Sequence, residues 1–433
     1  MLRSNSKDIQ KGDTFIALKG ESVDGHDYIN EAIQNGAVRV IVEKGNYNIE
    51  TVKVKSTIDY LNSYLRAIMP NIKIIGITGT NGKTTTAYLI YEALNMLNIK
   101  CAYIGTIGFY LDKKIKDLNN TTPGNIELYE YIKMAYDNNY NYIVMEVSSH
   151  ALKQKRCDFI DFSYAIFTNL TEDHLDYHKD MSDYMETKKI LFEKLCKGIN
   201  IINNDSAYAL NYKINNYVTY GFTKSDYNIV EFKKNVIVNN VKYKTNLIGK
   251  HNVYNMSCVI IILLLLNIDS KTIQNVTKKL LPPPGRLECL KYKTNFIYID
   301  YAHTPDAVLK AIETVSKIKH NRLITILGCG GRRDPYKRPI MGMIAINNSS
   351  YTIITSDNPR DEDPNTIAKQ MVQGLDNSNY EIILNRAKAI KKGIQLLQKN
   401  DILLVLGKGH EDYQFVGNRK IHFSDLEQIK KYI

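Results

Sequence analysis

Residues 72–78, a short apolar run, lead into Gly79-Thr80-Asn81-Gly82-Lys83-Thr84-Thr85, and a helical pattern follows at once. A strand, a glycine-bearing loop ending in Gly-Lys-Thr and a helix together make a phosphate cradle, because the loop N–H groups and the positive end of the helix face the anion. In such a cradle Lys83 reaches the outer phosphates and the Thr84 hydroxyl ligates Mg2+. The general pattern GxxxxGK[ST] needs glycine at position 77, which is Ile77, so the class of loop is matched but not its full spelling. A second apolar run, residues 142–147, carries Glu146 near its end and is followed by Ser148-Ser149-His150. An acid at a buried strand end beside a phosphate loop is placed to meet Mg2+, although taken alone it is as easily a solvated carboxylate. The stretch Thr168-Asn169-Leu170-Thr171-Glu172-Asp173-His174-Leu175-Asp176-Tyr177-His178 has two histidines in HxxxH spacing. That spacing suits zinc on a helix face, but a strand precedes it and its surroundings are polar, which argues against zinc. Lys188, in a helical pattern, reads by residue type alone as an exposed lysine.

An α/β architecture has to position these groups. Short apolar runs alternate with helical patterns, which predicts α/β domains with mostly parallel sheets. Three domains are expected: residues 1–70, a central P-loop domain over 71–283 and a Rossmann-like domain over 284–433. Pro70 and Pro282-Pro283-Pro284-Gly285 mark the boundaries. Strands are expected at 14–18 and 38–42 around a helix at 28–35, then at 72–78, 102–107, 142–147, 164–168 and 199–203. Residues 227–248 alternate apolar and polar side chains and read as an antiparallel insertion. The last domain repeats the α/β alternation, with strands at 296–300, 323–327, 351–355 and 402–406. It lacks the GxGxxG fingerprint of a dinucleotide site.

Composition narrows the class of partner. The chain has 433 residues, 24% charged, with a net charge of +12. Lysine is spread along the chain without a basic block or arginine-rich arm, so anionic small molecules are favoured over nucleic acid. The six cysteines include no CxxC pair, which argues against a zinc ribbon or a disulfide framework. Polar sequence follows Met1-Leu2-Arg3-Ser4, so no signal peptide is expected, and a cytoplasmic location is. The longest apolar run, residues 259–266, is far shorter than the ~20 residues that span a bilayer, and predicts a buried core helix and no membrane association.

The motif TGTNGKTT at 78–85 resembles the nucleotide loop of the Mur ligase superfamily, which also takes in folylpolyglutamate synthase and cyanophycin synthetase. The resemblance spans nearly the whole chain and is strongest from 76 to 412. It implies an ATP-dependent ligase of peptidoglycan precursor synthesis, with Mg2+ as cofactor and ATP as co-substrate. It assigns ATP contacts to Gly79, Thr80, Asn81, Gly82, Lys83, Thr84 and Thr85, to Asn252 in GKHNxxN, to Arg286 in PGRLE and to Asp300 and His303 in DYAHTPD. It implies metal contacts at Thr84, Glu146, His174 and Lys188, the last as a carbamylated lysine, with Lys83, Lys188 and His174 catalytic. A carbamate forms only on a neutral amine, so that site must depress the lysine pKa.

Other motifs resemble those of the diamino-acid-adding branch of the family. Asn120-Thr121-Thr122-Pro123 and the SSHALxQxR segment, with Ser148, Gln154 and Arg156, imply contacts to a UDP-sugar-peptide, UDP-N-acetylmuramoyl-L-Ala-D-Glu. Ser6, in the altered motif Asn5-Ser6-Lys7, is carried over as a uridine-side contact. Arg333, Asp357, Asn358, Pro359, Arg360, Gly407 and Glu411 resemble the amino-acid pocket. The DNPR spelling is the form associated with meso-diaminopimelate. The Arg360 guanidinium offers a two-pronged bond to a distal carboxylate and would repel the ammonium of lysine. The alternatives are the same reaction with L-lysine, another ligase of the superfamily such as folylpolyglutamate synthase, and a nucleic-acid-stimulated P-loop ATPase. A monomer is expected.

Overall fold

The computed structural model describes residues 1–20, 23–175, 177–232, 234–376 and 378–433; Asp176, within the histidine segment quoted above, lies outside the described residues. The chain divides into two compact units, residues 1–245 with 254–280, and residues 246–253 with 281–433.

The first unit holds two sheets. Near the start of the chain, β1 (Leu2–Arg3), β2 (Thr14–Ile16), β3 (Arg39–Val42) and β4 (Glu50–Lys53) pair in parallel in that order. A helix at Ile29–Gln34 lies between β2 and β3 in the chain, as the periodicity predicts. The larger sheet takes β5 (Lys73–Thr78), β6 (Cys101–Gly105), β7 (Gly108–Tyr110), β8 (Lys114–Lys116), β9 (Tyr142–Glu146), β10 (Phe162–Phe167), β11 (Cys196–Asn203), β12 (Tyr217–Gly221), β13 (Tyr227–Phe232), β14 (Asn235–Val238) and β15 (Val241–Lys244). Among the described residues its order is β15-β14-β13-β12-β11-β10-β5-β9-β6-β7-β8.

The middle strands are apolar on both faces, as strands covered by helices on both sides must be. Ile74, Ile75, Ile77, Ile143, Val144, Met145, Ala165, Ile166 and Phe167 are all buried. From β5 the chain passes through the helix Lys83–Met96 to β6, returns to β9 beside β5, and then crosses to β10 on the other flank. The strand order therefore reverses across β5, the place where open α/β sheets bind ligands, at the strand carboxyl ends. The loops after β5, β9 and β10 carry the residues singled out above. The segment after β12 forms antiparallel pairs β13–β14 and β14–β15, while β13 joins β12 in parallel. The apolar run predicted as a core helix lies in the helix Lys250–Leu265, with Val259 to Leu263 fully buried. Among the described residues no helix is long and apolar enough to cross a membrane.

The second unit is built on β16 (Arg286–Tyr292), β17 (Asn295–Asp300), β18 (Leu323–Cys329), β19 (Tyr351–Ser356), β20 (Tyr380–Ile382) and β21 (Ile402–Leu406), in the order β16-β17-β21-β18-β19-β20. All its pairs are parallel except β16–β17. A separate hairpin, β22 (Tyr413–Val416) with β23 (Arg419–His422), follows β21. Beneath the carboxyl ends of β19 and β21 lies a fully buried ion pair, Arg386 with Asp425, at 2.7 Å. The same guanidinium donates to the Leu406 carbonyl at 2.9 Å and the Ser356 carbonyl at 3.4 Å. It thereby ties together the last residues of the two strands from which the predicted amino-acid pocket emerges.

Candidate functional site

The loop after β5 turns on glycine. Gly79 and Gly82 have φ of 148° and 88°, values that side chains oppose, and a Cβ on Gly79 would collide with Thr168 and Asn169. The segment after β10 braces the loop: Thr80 N donates to Asn169 O (2.9 Å), Asn81 N to Asn169 Oδ1 (3.0 Å), and Thr168 Oγ1 to Asn81 O (2.7 Å). Lys83, the first residue of the following helix, turns its Nζ back to the Gly79 and Thr80 carbonyls at 2.7 and 3.0 Å. Thr84 and Thr85 are buried at the same helix end.

Glu146 ends β9 fully buried, and four donors meet its carboxylate. Tyr103 OH (2.6 Å) and Thr106 N (2.8 Å) reach Oε1, while Thr84 Oγ1 (2.9 Å) and Thr106 Oγ1 (3.1 Å) reach Oε2. Gly105 lies against the carboxylate, and a Cβ there would collide with Oε1. Carboxylate and hydroxyl are hard oxygen donors of the kind Mg2+ takes. Thr84 can keep its O–H on Glu146 while a lone pair faces a cation, so these residues fit the ion. Among the described residues no group of three or more His, Cys, Asp or Glu side chains is gathered as a metal cage.

The sugar-peptide candidates join this network directly. Thr122 Oγ1 donates to the Glu146 carbonyl (2.8 Å) and accepts from Ser148 N (3.0 Å). Arg156 donates to Thr122 O (2.9 Å) and to Gln154 Oε1 (2.5 Å), and Gln154 Nε2 donates to Tyr177 OH (3.3 Å). Thr121 Oγ1 stands 3.1 Å from Thr106 Oγ1. Ser6 is not in this network; it is buried in the first sheet's layer with its hydroxyl on Glu31 Oε2 at 2.7 Å.

Lys188 lies on the helix Met181–Ile190, only 1% exposed, with Nζ 3.3 Å from Gly79 O and 4.5 Å from the centre of the Tyr184 ring. Burial, reinforced by the Lys83 charge, pulls its pKa well below the ordinary lysine value. A lysine that residue type alone would leave in solvent is thus a buried amine beside the phosphate loop. Partial burial, with Lys83 adding to it, lowers the His174 pKa to about 4, so its imidazole is neutral at pH 7 and keeps a lone pair. His174 has φ of 54° and sits in a turn, not on a helix face, which removes the geometry for a zinc pair with His178. His178 is buried between Ser149 Oγ (2.9 Å) and Asp183 Oδ2 (3.2 Å). The His150 ring stacks on Tyr177 at 3.9 Å and meets His174 edge-on at 5.1 Å, which brings the SSHAL segment to the histidine turn.

In the second unit, Asp300 ends β17 and accepts from Leu287 N and Ala302 N, both at 2.8 Å. It does not cap the next helix; Thr304 does. Burial raises its pKa, and Arg286 opposes the shift. The Arg286 guanidinium lies 4.6 Å from the Tyr301 ring centre, and the His303 ring packs on the same tyrosine at 4.7 Å. Asn252 donates to Ile248 O at 2.8 Å within this unit's 246–253 segment.

The amino-acid candidates converge where β18, β19 and β21 end. Asn358 Nδ2 donates to Glu411 Oε2 (2.9 Å), and Gly331 N to Asn358 O (2.9 Å). Pro359 is buried against Gly331, and Asp357 is buried against Gly407, whose φ of 110° requires glycine. Arg360, in left-handed backbone at φ 55°, donates through its guanidinium to Gly331 O and through its backbone N to Phe415 O (3.0 Å). Arg333 is exposed at the rim.

Sequence reasoning passed over Tyr103, Thr106 and Lys408. Lys408 is fully buried, its Nζ on Glu411 Oε2 (2.9 Å) and Asn358 Oδ1 (3.3 Å). Its signal was present inside Gly407-Lys408-Gly409-His410-Glu411. Tyr103 and Thr106 had none, since their link to Glu146 crosses about 40 residues of chain.

Comparison with known proteins gives a consistent outcome. Family profiles described as Mur ligase family, catalytic domain; Mur ligase middle domain; and Mur ligase, glutamate ligase domain match residues 1–79, 77–263 and 285–409. The chain is 38% identical to a UDP-N-acetylmuramoyl-L-alanyl-D-glutamate--2,6-diaminopimelate ligase of Clostridium botulinum, over 99% of this chain and 94% of that protein. It is also 38% identical to the protein of that name from Aquifex aeolicus, over 99% and 92%. A solved structure of a ligase of that name superposes with a TM-score of 0.72 at 30% identity, covering 100% of this chain and 94% of the other.

Proposed function

The chain belongs to the Mur ligase family, and we propose that it joins meso-diaminopimelate to the D-Glu residue of UDP-N-acetylmuramoyl-L-Ala-D-Glu in an ATP-driven reaction of peptidoglycan synthesis. The observation that carries this assignment is the likeness to ligases of that activity over 99% of the chain, with no domain left unmatched. The substrate's side-chain carboxylate attacks the γ-phosphate of ATP, giving an acyl phosphate and ADP. The amine of the amino acid then attacks the activated carbonyl, and inorganic phosphate leaves. Such transfers depend chiefly on positioning and on offsetting negative charge.

The residues divide that work. The 79–82 loop and the Lys83 ammonium hold the β- and γ-phosphates. Glu146 and Thr84 hold Mg2+, which when bound offsets the charge on the phosphate oxygens. Thr121, Thr122, Ser148, Gln154 and Arg156 hold the sugar-peptide beside that carboxylate. The buried Lys188 amine, whose pKa burial depresses, would in its neutral form take up CO2 and lose a proton to become a carbamate, an anion suited to a second cation with His174. In the second unit, Asn252, Arg286, Asp300 and His303 serve the nucleotide. Arg333, Asp357, Asn358, Pro359, Arg360, Gly407 and Glu411 form the amino-acid pocket. The Arg360 guanidinium selects a diamino acid with a distal carboxylate over lysine.

Phosphate release from purified protein with ATP, Mg2+ and UDP-N-acetylmuramoyl-L-Ala-D-Glu tests the assignment. Release with meso-diaminopimelate and not with L-lysine is expected. Release with lysine alone would keep the family and overturn the Arg360 argument, and no release with either would overturn the assignment.

A further inference from the structure

We propose that Thr106 is a positioning residue shared by two half-sites: it holds the Glu146 carboxylate for the nucleotide and, through the same hydroxyl, holds Thr121 for the sugar-peptide. The inference deepens the functional reading above and rests on it.

Thr106 opens the two-residue turn between β6 and β7, where Gly105 pairs with Gly108. The tight turn points the Thr106 N–H and hydroxyl at the same carboxylate, 2.8 Å from Oε1 and 3.1 Å from Oε2. Gly105 leaves the space that the carboxylate fills. Donor arithmetic then sets the direction of every bond. A carboxylate only accepts, so the single Thr106 proton goes to Glu146. The 3.1 Å contact with Thr121 therefore has Thr121 as donor and Thr106 as acceptor. The result is a directed chain, Thr121 O–H to Thr106 O–H to Glu146 Oε2, on which Thr84 O–H converges from the phosphate loop.

Thr121 also adjoins Thr122, whose hydroxyl bonds the Glu146 carbonyl. The segment expected to touch the sugar-peptide is thus registered on the same residue that faces the phosphate loop. Without the Thr106 hydroxyl, Glu146 Oε2 loses a donor and Thr121 loses its acceptor together. The bonds from Thr106 N and Tyr103 OH to Oε1 and from Thr84 Oγ1 to Oε2 survive that change, so the carboxylate stays in place with one donor fewer on Oε2.

The test uses the full chain with Thr106→Val, which matches the shape without the hydroxyl, Thr106→Ser, which restores it, Thr121→Val, and the double variant. Dissociation constants are measured calorimetrically for a nonhydrolysable ATP analogue with Mg2+ and, separately, for UDP-N-acetylmuramoyl-L-Ala-D-Glu. For Thr106→Val both constants should rise, each about five- to tenfold, the scale of one hydrogen bond's net contribution. Thr106→Ser should stay within about twofold of the parent, which a mere packing role would not explain. Thr121→Val should weaken only the sugar-peptide. The double variant should bind the sugar-peptide at least about threefold more tightly than the product of the single effects, because both changes cut one chain of bonds. A Thr106→Val protein that weakens only one ligand, or a Thr106→Ser protein as impaired as Thr106→Val, overturns the proposal while the functional reading stands. A parent protein that binds nucleotide but not the UDP-sugar-peptide overturns both.

Discussion

Replacing Lys188 by methionine keeps an unbranched side chain one atom shorter and removes its amine. The position is 1% exposed, and burial together with Lys83 holds the lysine pKa well below its ordinary value of 10.5. The unfolded chain therefore binds a proton that the folded chain refuses. Above pH 10.5 neither state is protonated at this site and the group costs nothing. As pH falls from there toward the folded-state pKa, stability is lost at about 1.4 kcal/mol per pH unit, and below the folded-state pKa the loss is constant. The thioether of the Lys188→Met variant has no such dependence. Denaturant unfolding of parent and Lys188→Met, in CO2-free buffers at about pH 8, 9 and 10, should show the variant's stability advantage shrinking as pH rises toward 10.5, by at most about 1.4 kcal/mol per unit. Taking the difference cancels the tyrosines and cysteines, which titrate alike in both proteins. Added bicarbonate should stabilise the parent alone, since a ligand taken up only by the folded amine shifts its equilibrium. Parallel stability curves would refute the buried neutral amine. Turnover should fall by about a hundredfold or more with Lys188→Met or Lys188→Ala, with partial rescue of the latter by small carboxylic acids; activity within about twofold of the parent would refute the carbamate role.

Three further perturbations test the second unit. Arg360→Ala should raise KM for meso-diaminopimelate by about 30- to 100-fold, the loss of a two-pronged charge-assisted bond worth ~2–3 kcal/mol, with nucleotide affinity unchanged by calorimetry; an unchanged KM removes the basis for naming the amino acid. Lys408→Met removes the cation that holds Glu411 and Asn358 and should raise the same KM by about tenfold, with Lys408→Arg closer to the parent, when phosphate release is followed against amino-acid concentration. Asp425→Asn leaves the Arg386 guanidinium buried without its counter-charge and should cost about 3–5 kcal/mol in denaturant unfolding. A loss below about 1 kcal/mol would show that Arg386 does not depend on that pair.

Much of the site was legible in the chain itself, and the legible parts share a cause. The phosphate loop depends on groups adjacent in sequence: Gly79 and Gly82 supply left-handed backbone, and Lys83 begins the helix they turn into. Glu146 was readable because an acid closing an apolar run must lie where that strand ends. The alternation of strands and helices likewise predicted α/β sheets, since periodicity is a local property of the chain.

What stayed illegible was set by contacts between distant segments. By residue type alone Lys188 looked like a surface lysine, and only the resemblance singled it out; the packing of its helix against the Gly79 carbonyl and Tyr184 is what buries it. Tyr103 and Thr106 carry no motif, yet three of the four hydrogen bonds on Glu146 come from them, across a gap that sheet order alone closes. Ser6 was matched by its place in a motif, and its hydrogen bond to Glu31, 25 residues on, had no signal in the sequence. Residue type and spacing determine which chemistry a chain can perform and where its backbone must turn. Burial, and with it pKa and hydrogen-bond direction, depends on which segment the fold lays against each side chain, and only the tertiary structure decides that.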